Sequence, residues 1–421
     1  MSVISEKITA TLNQIDLGKT LWVAFSGGID STVLLHAIYS ASKITGHNVK
    51  AIHVDHQIHQ DSKQWSEFCE KQCKYYSIPI KTLTVDLQSV SDKGVEGAAR
   101  LARYQAFEQC LSENDVLFTA HHADDQVETI LLQLFRGAGV QGLTGCAAQR
   151  DLGESRVIRP LLEVSREQIE AYAGQHNLNW LNDPSNDLVE HDRNYLRHEV
   201  MPLLHQRWQG LRETVARSSQ WQIESAQLLD YLAQLTLNNE LENPLPIEKL
   251  KKLDDVSMKN ALRWWIRANK FPMPSAQIIK HIITDVINSA EDSEACMKWQ
   301  DCELRKYRDK IYLQEQLSSH DPSQSHEWRI NTPLEFASLN LLLTKDKLQE
   351  FGVHCDNIKM LRVKFRQGGE VMRPRGRGCQ KDLKSLFQEA GVEPWLRDRI
   401  PLLYDDDSLV CVWGYWIQEG Y

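Results

Sequence analysis

Residues 21–36 read LWVAFSGGIDSTVLLH, and this stretch restricts the fold more than any other. Leu21 to Phe25 is a short apolar, β-rich run, and Ser26-Gly27-Gly28 is a hinge. From Ser31 onward Val33, Leu34, Leu35 and Ile38 recur at helical spacing. Strand, tight loop and helix in that order aim the unpaired amides of the first helical turn into the loop, where the helix dipole favours an anion. Adjacent glycines let the backbone approach closely and take up positive φ, and Ser26 and Ser31 add hydroxyl donors. A phosphate is the expected guest, cradled by Ser26, Gly27, Gly28, Ile29, Asp30 and Ser31.

The loop is not a Walker A motif, because no lysine follows Gly28 to reach β- and γ-phosphates. Asp30 instead sits among the phosphate donors, where a bare carboxylate repels a polyphosphate unless Mg²⁺ lies between them. Asp30 is therefore the candidate metal ligand. The plainer alternative is an ordinary turn in which Asp30 and Ser31 cap the helix.

Strand and helix alternate through the first two hundred residues. Strands are expected at Val49–Asp55, Ile80–Val85, Val116–Ala120 and, ended by Pro160, Ile158–Leu162. Helices are expected between them, including one from about Glu96 to Leu111 and another between Glu167 and Tyr172. This pattern predicts an α/β domain with a Rossmann-like parallel sheet covered on both faces. Ligands bind such sheets at the carboxyl ends of the strands. Ser26 to Asp30, His53 to His56 and His121 to Asp125 fall at such ends and are expected to converge on one crevice.

Residues 119–143, TAHHADDQVETILLQLFRGAGVQGL, are the second informative stretch. Asp125 and Glu128 fit a capping box, with Ile130, Leu131 and Leu134 on the buried stripe of the following helix. Capping does not account for His121, His122, Asp124 and Asp125 side by side near a phosphate loop. Such a set suits metal binding, docking of a cationic substrate or general base catalysis, and the sequence leaves the roles open. Adjacent histidines of an extended segment point opposite ways, which argues against zinc.

With 421 residues, 42% of them hydrophobic, the chain suffices for two or three cored domains. No apolar run is long enough to span a membrane, and MSVISEKITATLNQI at the start reads as an amphipathic helix. Nine cysteines without a CxxC are expected to be reduced thiols of a cytoplasmic protein. Cys69 and Cys73, one helical turn apart, are read as inert. A net charge of −9 excludes a globally basic nucleic-acid binder but not a local basic face.

Beyond the turn at Asn182 to Asn186, a long helical stretch over about His191 to Leu235 intersperses Arg193, Arg197, Arg207, Arg212 and Arg217 with acids. It is either a solvated face or a row of phosphate-reaching arginines. The helical pattern continues from about Gln220 to Gln316, and its Trp264 and Trp265 are either core residues or stacking platforms for bases. Residues 315–325 have the composition of a linker, and a mixed α/β module is expected from 326 to the end. Lys359 to Arg399 carries eleven Lys or Arg against five Asp or Glu, centred on RQGGEVMRPRGR. An exposed basic loop is expected there, suited to a phosphate backbone. The expected domains are 1–205, 206–318 and 326–421.

The string SGGIDS after a β-run resembles the pyrophosphate loop of the N-type ATP pyrophosphatases. HHADDQVET with RGAGVQGL, EGAARLARY at 96–104, and DPSNDLVEHDRNYLRHEVMPLL at 183–204 together resemble the tRNA(Ile)-lysidine synthetases of that superfamily. KDLKSL at 381–386, with Trp395 and Arg397 beyond, resembles the carboxyl-terminal domain of the longer members. The resemblance implies an enzyme that uses ATP and Mg²⁺ to join free L-lysine to carbon 2 of the wobble cytidine in a CAU-anticodon isoleucine tRNA. The base would first be adenylated, then attacked by the lysine ε-amine with loss of AMP. On this reading Asp30, Asp125 and His122 are catalytic, and Asp124, Asp125 and Glu128 face the lysine. Arg193, Arg197, Arg373, Arg375, Arg377, Lys381 and Lys384 would contact tRNA, with Arg103 and Arg136 as further candidates. Formation of a homodimer is left open. Two alternatives stand beside it: a thiolation enzyme of the same superfamily, and a tRNA-binding protein without catalysis.

Overall fold

A computed structural model describes residues 2–55, 62–85, 94–183, 189–239, 241–290, 293–355 and 358–421. His56 and residues 184–186 of the expected turn lie outside them. The chain divides into two compact units, Met1–Leu228 and Leu229–Tyr421.

The first unit opens with α1 (Val3–Leu12), capped by Ser2 and burying Ile4, Ile8 and Leu12 one turn apart, as its amphipathic pattern requires. There follow β1 (Thr20–Ala24), α2 (Ile29–Thr45), β2 (Asn48–Asp55), α3 (Ser62–Tyr75), β3 (Ile80–Thr84) and α4 (Gly94–Cys110). Then come β4 (Val116–Phe118), α5 (Ala123–Phe135), β5 (Gln149–Leu152), β6 (Ser155–Ile158) and α6 (Arg166–Gln175). The sheet runs β3-β2-β1-β4-β6-β5, with β1, β2, β3, β4 and β6 parallel. One face packs Leu21, Val23, Leu34 and Ile38 against α1 and Ile169 of α6; the other packs Trp22, Ile52, Tyr104, Phe107, Leu117 and Val157. Strand order reverses between β1 and β4, and both candidate motifs begin where these two strands end.

Two expectations are corrected here. The last strand ends at Ile158 rather than Leu162, and it is preceded by an antiparallel edge strand, β5, that the alternation missed. QRDL is polar and mostly exposed, so it carries no apolar run to read. The single helix expected from 191 to 235 is α7 (Asp192–Tyr195), a π-helical turn at Leu196–Val200, α8 (Met201–Arg207) and α9 (Leu211–Thr236). An extended Trp208 ahead of Gly210 breaks the run.

In the second unit, helices at Asp255–Ala268 and Ala276–His281 pack with a sheet over one core. Trp264 and Trp265 both lie in that core, and Trp265 donates its indole N–H to the Glu242 carbonyl at 3.0 Å. Neither is a base-stacking platform. Residues 296–315, folded into the helical pattern by the sequence reading, form antiparallel strands Cys296–Trp299, Cys302–Tyr307 and Lys310–Glu315. The alternation of buried Ile311 and Leu313 with Lys310, Tyr312 and Gln314 is the period-two signal, and the chain turns into that strand at Arg308 with φ +52°. A further antiparallel sheet orders Ser325–Arg329, Met360–Lys364, Leu402–Asp405, Ser408–Val412 and Trp416–Ile417, with helix Leu383–Glu389 beside it. Strands and a helix together give the mixed α/β character expected of the last part of the chain.

Candidate active site

The loop between β1 and α2 is shaped by one glycine of the pair. Gly27 has φ +83°, and a Cβ there would meet Leu181 at 3.1 Å, Cys69 at 3.2 Å and Phe68 at 3.3 Å. Its carbonyl accepts the Leu181 amide at 2.9 Å. Gly28 has an ordinary φ of −69° and is the N-cap of α2, with no side chain capping the helix. Neither Asp30 nor Ser31 therefore caps α2, and the first-turn amides are left for a ligand. Ser31 accepts the Ser26 amide at 3.2 Å and donates to the Gly28 carbonyl at 3.0 Å, while the two hydroxyls lie 3.1 Å apart.

The second motif meets the first through His122. Its Nε2 is 3.8 Å from Asp30 and 3.5 Å from Asp125, and its Nδ1 is 3.6 Å from Asp124. His122 is buried; desolvation alone would lower its pKa, yet the three carboxylates outweigh burial and raise it. Burial pushes the Asp30 carboxyl up, opposed by His122 and by Arg166, whose Nη1 reaches both Asp30 oxygens at 2.8 and 3.0 Å. His121 turns the other way, 3.1 Å from the Thr119 hydroxyl, and burial pushes it down to about 3, so it is neutral. His53, also expected at the crevice, is buried with Nδ1 2.8 Å from the Phe25 carbonyl, where it braces the loop.

Each remaining carboxylate is held by arginine. Asp125 accepts the His122 amide at 3.0 Å on one oxygen, the capping contact, and Arg193 and Arg197 at 2.9 and 3.1 Å on the other. Glu128, 1% exposed, takes Arg193 Nε at 2.8 Å and Arg197 Nε at 2.7 Å. Asp124 accepts Arg212 Nε at 2.6 Å and the Arg166 amide at 3.1 Å, with His205 Nε2 at 3.5 Å. Burial would raise both aspartates, but His122 with Arg212 holds Asp124, and His122 with Arg193 and Arg197 holds Asp125, well below the usual carboxylate range. Arg193 and Arg197, expected at tRNA phosphates, thus spend their guanidinium groups on α5. Arg166, Glu167 and His205 belong to the site and were not foreseen, and Arg212, expected on a solvated face or at a phosphate, instead pairs with Asp124 and Glu167. Their only trace in the sequence is mixed charge on helices, which does not disclose partners across 42 to 136 residues of chain.

The Cys69 and Cys73 thiols are buried. Burial raises Cys69 far above the ordinary thiol range and Cys73 to about 12. Arg136 pairs with Asp192 at 3.6 Å, and Arg103 is exposed on α4. In the second unit Arg373, Arg375 and Arg377 line an exposed loop; Arg377 and Lys381 both reach Glu389, each at 2.6 Å, and Lys384 is exposed.

A glycine loop at the strand-order reversal, uncapped helix amides and an adjacent carboxylate define a PP-loop, ATP-binding enzyme, and residues 1–204 match the PP-loop domain family. Residues 245–312 match the TilS substrate binding domain and residues 361–421 the TilS substrate C-terminal domain. A tRNA(Ile)-lysidine synthase of Coxiella burnetii is 36% identical over 418 residues, covering 99% of this chain and 93% of that protein. One of Legionella pneumophila (strain Paris) is 35% identical over 419 residues, 99% and 95% respectively. One of Serratia proteamaculans is 36% identical over 418 residues, 97% and 93%. The chain belongs to the tRNA(Ile)-lysidine synthase family. It is a ligase that modifies tRNA at the expense of ATP, which favours the main expectation over sulfur transfer and over a binding protein without catalysis.

Proposed function

We propose that this chain joins free L-lysine to carbon 2 of the wobble cytidine of CAU-anticodon isoleucine tRNA, releasing AMP and pyrophosphate. The observation that carries the reading is the junction of the two motifs at His122, which places an uncapped phosphate cradle beside a charged cluster of carboxylates and arginines. The carbonyl oxygen on carbon 2 is a poor leaving group, so it attacks the α-phosphorus, releasing pyrophosphate, and departs later as AMP. Ser26, Gly27, Gly28, Ile29 and Ser31 hold the pyrophosphate portion of ATP by backbone amides and hydroxyls.

The donor set fits Mg²⁺, which pairs one or two carboxylates with substrate phosphates rather than a full protein cage. Asp30 is the loop carboxylate that would hold the ion, exchanging its contact with Arg166 for the metal. When bound, the ion offsets charge developing on the phosphates. Asp125, with Asp124 and Glu128 behind it, faces the lysine ammonium, and His122 among three carboxylates is placed to accept its proton. Arg193 and Arg197 position Asp125 and Glu128. Arg373, Arg375, Arg377, Lys381 and Lys384 contact the tRNA backbone, and residues 1–205, 206–318 and 326–421 divide the work between catalysis and tRNA binding.

Digestion of the treated tRNA to nucleosides tests this. One cytidine gains the mass of lysine less water, dependent on ATP, lysine and this protein. An unchanged cytidine, or one carrying sulfur, would contradict it.

A further inference from the structure

On the other side of His121 from the phosphate loop, three guanidinium groups gather on one phenol. Arg159, directly after β6, is 4% exposed; it donates to the Ala147 carbonyl at 2.6 Å and to the Tyr104 hydroxyl at 3.2 Å. Arg150 of β5 lies 4.2 Å from the Tyr104 ring centroid, and Arg100, one turn before Tyr104 on α4, lies 5.3 Å from it. Among the described residues, none of the three forms an ion pair, and the buried Nε of Arg159 has no hydrogen-bond acceptor. Elsewhere in the unit, Arg166, Arg193, Arg197 and Arg212 all have carboxylate partners. A desolvated guanidinium served only by a carbonyl and a phenol is short of a counter-charge. Burial would raise the Tyr104 hydroxyl, but Arg159, Arg100 and Arg150 together lower it, a sign of uncompensated positive field. Arg100 and Arg150 are exposed, so the cluster is open to solvent on their side.

We propose that Arg159, Tyr104, Arg150 and Arg100 form an oxyanion-binding subsite at the carboxyl end of β6, serving a substrate during the ligation. This rests on the function proposed above, whose substrates offer such a group twice: the α-carboxylate of free lysine and the phosphodiesters flanking the cytidine. Guanidinium groups bind carboxylate and phosphate alike through forked N–H donors. Arg159 supplies the recessed donor, and Arg100 and Arg150 draw the anion in. His121, neutral between this cluster and Asp125, separates the anionic subsite from the cationic one.

The test uses the full-length protein with Arg150→Gln, at an exposed position where folding is not at risk, and Arg159→Gln. Lysine and cadaverine, which lacks the carboxylate, are compared as amine substrates, and affinity for the tRNA transcript is titrated separately. Loss of a charge-assisted hydrogen bond corresponds to about ten- to a hundredfold in affinity. If lysine supplies the oxyanion, its KM rises by about that factor in both variants while cadaverine kinetics stay as in wild type. If the RNA supplies it, the transcript binds more weakly by about that factor and lysine KM holds. Variants that keep wild-type values for lysine, cadaverine and RNA overturn the subsite. A wild-type protein that joins neither amine overturns the functional reading instead, and the RNA titration of the same variants then decides the subsite by itself.

Discussion

Gly27 and Gly28 are adjacent and look interchangeable in the sequence, yet they do different work. Gly27 has φ +83° with three side chains within 3.3 Å of where a Cβ would stand. Gly28 has φ −69°, and the Ser26 hydroxyl at 3.6 Å is its nearest neighbour. Gly27→Ala is expected to cost about 2 kcal/mol of stability, combining left-handed strain and crowding. Gly28→Ala should stay within about 0.5 kcal/mol. Urea denaturation of the two variants measures the difference, and equal losses would contradict this view of the loop. The need for glycine was legible from SGG; which of the two requires it was not, because φ at the hinge is set by Leu181, Cys69 and Phe68 from distant elements. His53 and His121 show the same limit. Each sits at a strand end, but one braces the Phe25 carbonyl and the other is neutral against Thr119.

At the scale of elements, the site is a clamp between α5 and the segment α7–π-turn–α8. Arg193 and Arg197, four residues apart, present one face to Asp125 and Glu128 on the first turns of α5. Asp125 is held below the ordinary carboxylate range, so its contribution is full above about pH 4 and is lost as pH falls through its native value. Asp125→Asn is expected to lower stability by about 2 kcal/mol at pH 7, with the gap to wild type closing as the pH is taken down toward 3. Denaturation curves across that range check it, and a gap that is constant with pH would refute the assignment. The capping box was set one turn late: His122 is the N-cap and Asp125 its N3 partner, while Glu128 is buried on Arg193 and Arg197. The sequence disclosed α5 and the presence of arginines downstream. It did not disclose the pairing, since periodicity reports which face a residue occupies and not what it meets. The antiparallel β5 escaped for a related reason: a short polar strand carries no apolar run and is defined by a hydrogen-bonded partner, whereas the strands at 296–315 have a period-two signal that was absorbed into the preceding helical pattern.

At the scale of the molecule, the order of motifs was more informative than any property of the whole. A net charge of −9 gives no hint of RNA, whereas the exposed arginines at 373, 375 and 377 do. The alternation of the first two hundred residues yielded the parallel sheet and hence the location of the site at the carboxyl ends of its strands, whereas the strand-order reversal between β1 and β4 is visible only in the structure. The second unit was less legible, because its cores draw on strands and helices far apart in sequence, as with Trp265 beside Leu304 and Leu313. The account as a whole turns on how ATP is broken. With tRNA transcript, lysine and Mg²⁺ present, ATP labelled at the α-phosphate should end as AMP, one for each lysine joined, with unlabelled pyrophosphate released beside it. Label recovered in ADP, with inorganic phosphate as the second product, would contradict the account.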